Sequence, residues 1–92
     1  MGMDELRSKI DEIDDGLIRL FERRMDLSAE IAAYKRRNGI PVHDPARERG
    51  ILEALTAKVG KGRGPYVAEL YALIFRLSRA EQERTIDAEV GG

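Results

Sequence analysis

One heptad stripe near the start of the chain constrains its fold more than any other feature. Positions spaced alternately by four and three residues are Leu6, Ile10, Ile13, Leu17, Leu20, Arg24, Leu27, Ile31 and Tyr34. All of them except Arg24 are apolar, which is the pattern of one face of a long amphipathic helix. The stripe predicts a helix from about residue 4 to about residue 37, because Gly16 within it costs only about 1 kcal/mol.

The length of this helix predicts that the chain pairs with a second copy. At the usual rise per residue it is roughly 50 Å long, whereas a compact globule of 92 residues has a diameter of only about 30 Å. One end must therefore overhang and carry Leu6, Ile10 and Ile13 into solvent. An intertwined homodimer that buries the overhang is the simplest solution.

Two further helices follow from start and stop signals. Asn38-Gly39 ends the first helix, and Asp44-Pro45 is a helix cap followed by proline at the first helical position. The second helix is predicted over about 45–58 and the third over about 65–87, after the glycine-rich connector 60–64. Their predicted buried sides are Ile51, Leu52, Leu55 and Val59, and Val67, Leu70, Ile74 and Leu77. No alternating strand pattern occurs, so residues 1–92 are predicted to form a single all-α domain of three helices, long, short and medium.

Composition excludes several classes of function. Sixteen Lys and Arg against 17 Asp and Glu give a net charge of −1, so no global charge draws the chain to nucleic acid or to a membrane surface. The chain has no cysteine, hence no disulfide, no thiolate nucleophile and no cysteine-type metal site. Neither a signal peptide nor a spanning segment is recognisable, and we expect a cytoplasmic protein with no metal site.

Cations on the first helix indicate a pocket for an anion. A guanidinium within a packed seam is costly unless an anion meets it, so Arg24 is a candidate ligand-binding residue, with an interhelical salt bridge as the alternative. Lys35 lies three turns further along the same face, about 16 Å away, although a solvated lysine at a helix end is the commoner interpretation. Arg7 is 17 residues from Arg24, about 25 Å along the helix. Only the Arg7 of a symmetry-related chain could therefore share a small ligand with Arg24.

Polar residues on the other two helices are further candidates. Arg47 and Glu48 lie in the first turn of the second helix beside Asp44, where acidic residues also occur simply because they favour any helix N-terminus. Ser78 and Gln82 continue the apolar stripe of the third helix as a hydroxyl and an amide, or are ordinary polar residues where that helix leaves the core. The single histidine, His43, is interpreted as a surface residue.

This set of residues, in this order, resembles the all-helical AroQ-type chorismate mutases. The resemblance covers about residues 6–82 and rests on the following segments: Leu6-Arg7-x-Lys9-Ile10-Asp11-x-Ile13-Asp14, Arg23-Arg24, Lys35, the block from Pro41 to Glu48, and Ser78-x-x-x-Gln82. It implies an intertwined homodimer in which each active site takes an arginine from the partner's first helix. It also implies the Claisen rearrangement of chorismate to prephenate, in phenylalanine and tyrosine biosynthesis, without a cofactor.

The resemblance also implies roles for individual residues. Arg24, with Arg7 from the partner chain, would bind the two carboxylates of chorismate. Lys35 and Gln82 would donate hydrogen bonds to the ether oxygen. The remaining implied contacts are Glu48 and the backbone near Asp44 to the ring hydroxyl, and Arg47 and Ser78 to the carboxylate and hydroxyl groups. Arg24, Lys35, Glu48 and Gln82 are thus the candidate catalytic residues.

Two other functions remain open from the sequence. An isochorismate pyruvate lyase uses the same scaffold and a cationic pocket, so the residue set barely separates it from a mutase. A non-catalytic helical dimer that regulates an enzyme of the shikimate pathway would use Arg7, Arg24 and Lys35 in salt bridges.

Overall fold

The first helix, α1, spans Met3–Arg37 in the computed structural model, which describes residues 1–91. It ends in a Schellman motif: the Ile40 amide donates to the Lys35 carbonyl and the Gly39 amide to that of Arg36. Gly39 has φ +63°, a left-handed conformation that glycine adopts without a steric penalty. The Asn38-Gly39 pair predicted from the sequence therefore ends the helix through the left-handed backbone of Gly39.

The second helix, α2, spans Pro45–Thr56. The carboxylate of Asp44 caps it by accepting a 3.0 Å hydrogen bond from the Arg47 amide, and Pro45 occupies the first turn. The helix ends at Thr56, two residues before the predicted end at about residue 58. In its last turn the Thr56 hydroxyl donates to the Leu52 carbonyl. The connector that follows turns through positive φ values at Lys61 and Gly62.

The third helix, α3, spans Gly64–Gly91 and so continues past the predicted end near Asp87. Its last turns remain against the rest of the chain. Thr85 and Ile86 are half-buried, and Arg36 Nη1 of α1 lies 3.4 Å from Glu89 Oε2. The prediction ended this helix too early because the contacts that support its last turn come from α1. Gly92, the last residue of the predicted domain, lies outside the described residues.

All regular structure in residues 1–91 is helical, which confirms the all-α prediction. Helix α3 packs against both α1 and α2. Ser28 meets Ser78 and Arg36 meets Glu89, so α1 and α3 run parallel. None of the three helices is long and apolar enough, over the residues described, to cross a membrane.

The chain buries little of its apolar surface on its own. Among the described side chains, the buried hydrophobic residues are Ala32 and Phe75. The apolar members of the heptad stripe are all exposed, from 45% for Leu6 to 64% for Leu20. The radius of gyration is 16.6 Å and the longest extent 54 Å, against about 12 Å for the radius of a compact chain of this length.

The predicted buried sides of α2 and α3 are only partly correct. Six of the eight residues are half-buried, but Val59 and Leu70 are 37% and 52% exposed. Val59 lies beyond the observed end of α2. Leu70 shares an outward face of α3 with Tyr66 and Leu73, which are exposed as well.

Candidate active site

A cavity of about 470 Å³ lies where the three helices meet. It is lined by seven of the eight residues that the sequence predicts to bind substrate: Arg24, Lys35, Asp44, Arg47, Glu48, Ser78 and Gln82. The eighth, Arg7, is exposed and lies 17 residues before Arg24 on the same continuous helix. That spacing separates the two backbones by about 25 Å, so a single chain does not bring Arg7 to the cavity.

Helix α1 contributes two cations to the cavity. The Arg24 guanidinium lies 6.0 Å from the centre of the Phe75 ring, a cation–π contact. Within residues 1–91, no carboxylate forms a salt bridge with Arg24. The interhelical salt bridge considered as its alternative role is thus not formed within one chain.

Lys35 ties α1 to the link between α1 and α2. Its ammonium donates a 2.7 Å hydrogen bond to the carbonyl of Val42, and the residue is half-buried. An ammonium group carries three N–H donors, so two of them remain for a ligand. The interpretation of Lys35 as a freely solvated lysine is therefore wrong.

The start of α2 brings both acids to the cavity. Asp44 uses one carboxylate oxygen to cap the helix. Glu48 is less exposed, and its Oε2 lies 2.5 Å from Arg79 Nη1 of α3, while its Oε1 is 4.0 Å from His43 Nε2. Glu48 is therefore already held by a cation from another helix.

Helix α3 contributes buried polar groups. Ser78 and Gln82 are 8% and 7% exposed, so they are not ordinary polar residues at the edge of the core. The Ser78 hydroxyl shares a 2.6 Å hydrogen bond with that of Ser28. The Gln82 Oε1 atom is buried and has no hydrogen-bond partner, which is costly unless a ligand or water supplies a donor.

Sequence reasoning missed two polar residues that line the cavity, Ser28 and Arg79. Ser28 follows Arg24 by four residues and so shares its helix face, a signal that the sequence offered. Arg79 directly follows Ser78, but its partner Glu48 is 31 residues away, and no local pattern connects the two.

The composition of the cavity suits a small anionic ligand with an apolar body. Four cationic side chains line it against two acidic ones, and Leu27, Ile31, Ile51 and Phe75 supply apolar surface. The hydroxyl groups of Ser28 and Ser78, which also line the cavity, are hydrogen-bonded to each other. Over the part of the chain that the structure describes, no group of three or more acidic or histidine side chains could hold a metal ion.

Comparison with known proteins gives a consistent family. Residues 6–83 match the family model described as chorismate mutase type II. A chorismate mutase from Methanocaldococcus jannaschii is 41% identical over 51 residues, 55% of this chain and 52% of the relative. A 4-amino-4-deoxychorismate mutase from Streptomyces venezuelae is 40% identical over 45 residues, 49% of this chain and 44% of that protein. The aligned segments thus span about half the length of these two relatives.

A solved structure extends the similarity over nearly the whole chain. The crystal structure of chorismate mutase from Helicobacter pylori in complex with prephenate matches with a TM-score of 0.84 and 30% sequence identity. The match covers 92% of this chain and 93% of the other.

Proposed function

Because this chain belongs to the type II chorismate mutase family, we propose that it converts chorismate to prephenate by a Claisen rearrangement. The observation that carries the proposal is one cavity lined by Arg24, Lys35 and Arg47 together with the buried residue Gln82. Chorismate is a dianion with an apolar ring, and its rearrangement is unimolecular. It needs cations, hydrogen-bond donors and a fixed geometry, and these are the groups that the cavity supplies.

Arg24 is proposed to bind one carboxylate of the substrate. Its contact with the Phe75 ring restrains the guanidinium while leaving its N–H groups for a bidentate pair, the strongest arrangement for a carboxylate. Arg47 and Ser78 are proposed to complete the contacts to the carboxylate and hydroxyl groups. Held at both ends, the substrate stays close to the geometry in which the new bond forms.

Lys35 and Gln82 are proposed to stabilise the transition state. Negative charge grows on the ether oxygen as its bond to carbon breaks, and donors placed there beforehand lower the barrier. Two N–H groups of Lys35 are free of Val42, which supports this role. The amide of Gln82 is buried at the cavity; its N–H group is the proposed donor to the ether oxygen, because its Oε1 atom can only accept a hydrogen bond.

The ring hydroxyl is proposed to bind at Glu48 and at the backbone near Asp44. Glu48 is the less exposed of the two carboxylates in the cavity. Arg79 contacts Oε2 of this carboxylate, and its other oxygen can accept a hydrogen bond from a hydroxyl group.

The working form is proposed to be an intertwined homodimer in which each site receives Arg7 from the partner subunit. The exposed heptad stripe of α1 supports this proposal, because an apolar face of that length is a marker of an interaction surface. The distance of Arg7 from the cavity of its own chain also supports it. A dianion would then meet one arginine from each subunit.

The test is the loss of chorismate absorbance with purified protein and with Lys35→Ala. Removing a donor of this kind lowers the rate by about 10²–10³. Lys58→Ala is the matched control, because Lys58 is exposed and does not line the cavity. A folded wild-type protein without turnover would refute the mutase. Pyruvate release from isochorismate would then indicate the lyase, and inactivity on both substrates would leave the regulatory dimer.

A further inference from the structure

The ion pair between Glu48 and Arg79 lies between two cavities. Both residues line the candidate active site, and both also line a second cavity of about 310 Å³ between α2 and α3. Their side chains are 23% and 29% exposed. Glu48 without its partner would be free to turn toward either cavity, so Arg79 determines which way the carboxylate is held.

The pair uses only one oxygen of the carboxylate. Arg79 Nη1 contacts Glu48 Oε2 at 2.5 Å. His43 Nε2 lies 4.0 Å from Oε1, which is too long for a hydrogen bond. Oε1 is therefore the acceptor that a ligand group can use.

The distribution of charge in the cavity indicates which part of a ligand meets Glu48. Carboxylates of a ligand are drawn to Arg24, Lys35 and Arg47, and the carboxylate of Glu48 offers them no hydrogen-bond donor. Asp44 already accepts the hydrogen bond that caps α2. The group that faces Glu48 is thus a neutral or cationic donor on the ligand ring.

We infer that Arg79 is a positioning residue that makes the site select a ring hydroxyl over a ring ammonium group. This inference rests on the proposed function, since it concerns the ring substituent of the same substrate. Paired with Arg79, Glu48 has little net charge to offer a cation but still accepts a hydrogen bond from a hydroxyl group. An ammonium group at the same place would lie a few ångströms from a second cation.

The size of the effect follows from the charge on Arg79. One unit charge several ångströms away in a partly buried site changes an affinity by about tenfold or more. Arg79→Leu removes that repulsion and leaves Glu48 as an unpaired anion that attracts an ammonium group. The 40% identical relative from Streptomyces venezuelae is named for a substrate with an amino group at this ring position, so the pair of substrates needed for the comparison exists.

The experiment measures kcat/KM with chorismate and with 4-amino-4-deoxychorismate. Arg79→Leu is expected to shift the ratio of the two values toward the amino substrate by about tenfold or more. Arg79→Lys, which keeps the charge, is expected to keep most of the wild-type ratio. Arg76→Leu is the matched control, because Arg76 is exposed on the same helix and lines neither cavity.

A second measurement tests whether Arg79 acts through Glu48. Arg79→Leu is expected to lower kcat for chorismate in the wild-type background, and much less so when Glu48→Gln is already present. Losses that multiply independently in the double variant would contradict a positioning role. Melting temperatures establish that each variant is folded, and Arg79→Met replaces Arg79→Leu if the latter does not fold.

The outcomes separate this inference from the function on which it rests. Wild-type protein that turns over neither substrate refutes the proposed function and the inference together. Wild-type turnover of chorismate with an unchanged substrate ratio in Arg79→Leu, or with an equal shift in Arg76→Leu, overturns the inference and leaves the mutase intact.

Discussion

Mixing two inactive variants gives the sharpest test of the shared active site. Arg7→Ala and Arg24→Ala each remove one arginine from every site of a homodimer. Loss of a charge-assisted contact to a substrate carboxylate costs about 1.5–3 kcal/mol, so each variant should retain roughly a tenth to a hundredth of wild-type kcat/KM. The two arginines lie about 25 Å apart on one rigid helix, so in this arrangement each site needs both subunits.

The recovery on mixing follows from this geometry. In a mixed dimer, the site on the Arg7→Ala chain keeps its own Arg24 and receives an intact Arg7 from the partner subunit. The other site lacks both arginines. Random pairing of equal amounts makes about half of the dimers mixed, each with one working site of two, so about 25% of wild-type activity should return.

The opposite mixture is the control. Wild-type chain is mixed with an equal amount of the double variant Arg7→Ala/Arg24→Ala, in which mixed dimers have no complete site. Activity should then fall to about 25%, instead of the roughly 50% expected if each chain forms its own site. The assay is chorismate absorbance after joint refolding, with subunit exchange followed by mass spectrometry of the intact dimers. No recovery in the first mixture despite complete exchange, together with about 50% in the second, would refute the reasoning.

Four other substitutions test the packing and the second helix. Leu17→Glu places a charge in the heptad stripe, where Leu17 is 57% exposed in one chain, and should weaken the dimer. A sedimentation coefficient equal to that of the wild type across the concentration range would contradict the proposed interface. Ser28→Ala leaves the buried Ser78 hydroxyl without its 2.6 Å partner and should lower the free energy of unfolding by about 1 kcal/mol in urea titration, whereas no change would mean that water replaces the bond. Asp44→Ala should lower the free energy of unfolding by about 1 kcal/mol through loss of the α2 cap; a melting temperature equal to that of the wild type would contradict this. Gly50→Ala should raise the free energy of unfolding by up to about 1 kcal/mol, because an added Cβ meets nothing within 4 Å; a melting temperature no higher than that of the wild type would contradict this.

Local sequence patterns were sufficient to predict the extent of α1 and the start of α2. The heptad stripe, the Asn38-Gly39 stop and the Asp44-Pro45 start act through neighbours only a few residues away, and the observed bounds of α1 and the start of α2 follow them closely. The end of α3 did not follow, because the residues that support its last turn, Arg36 among them, belong to another helix.

The residues of the candidate site also divide into those that local patterns predict and those that they do not. Arg24 could be singled out because a cation interrupts an apolar period, and Lys35 because it lies on the same face. Ser28 was not predicted, because a serine within a helix usually has no special role. Arg79 could not be found, because its significance lies in an ion pair with Glu48 that spans 31 residues.

The sequence by itself determined three helices, the stop after α1, the Asp44 cap of α2, an apolar face too long for one chain, and a family resemblance that named the cationic residues. These properties depend on the helical period and on contacts within a turn or two, so the residues that determine them are close together in the sequence. Only the tertiary structure decided that seven predicted residues share one cavity, that Ser78 and Gln82 are buried, and that Arg79 holds Glu48. These properties depend on which helix faces come together, and a linear pattern does not contain the side-chain pairs that meet across them.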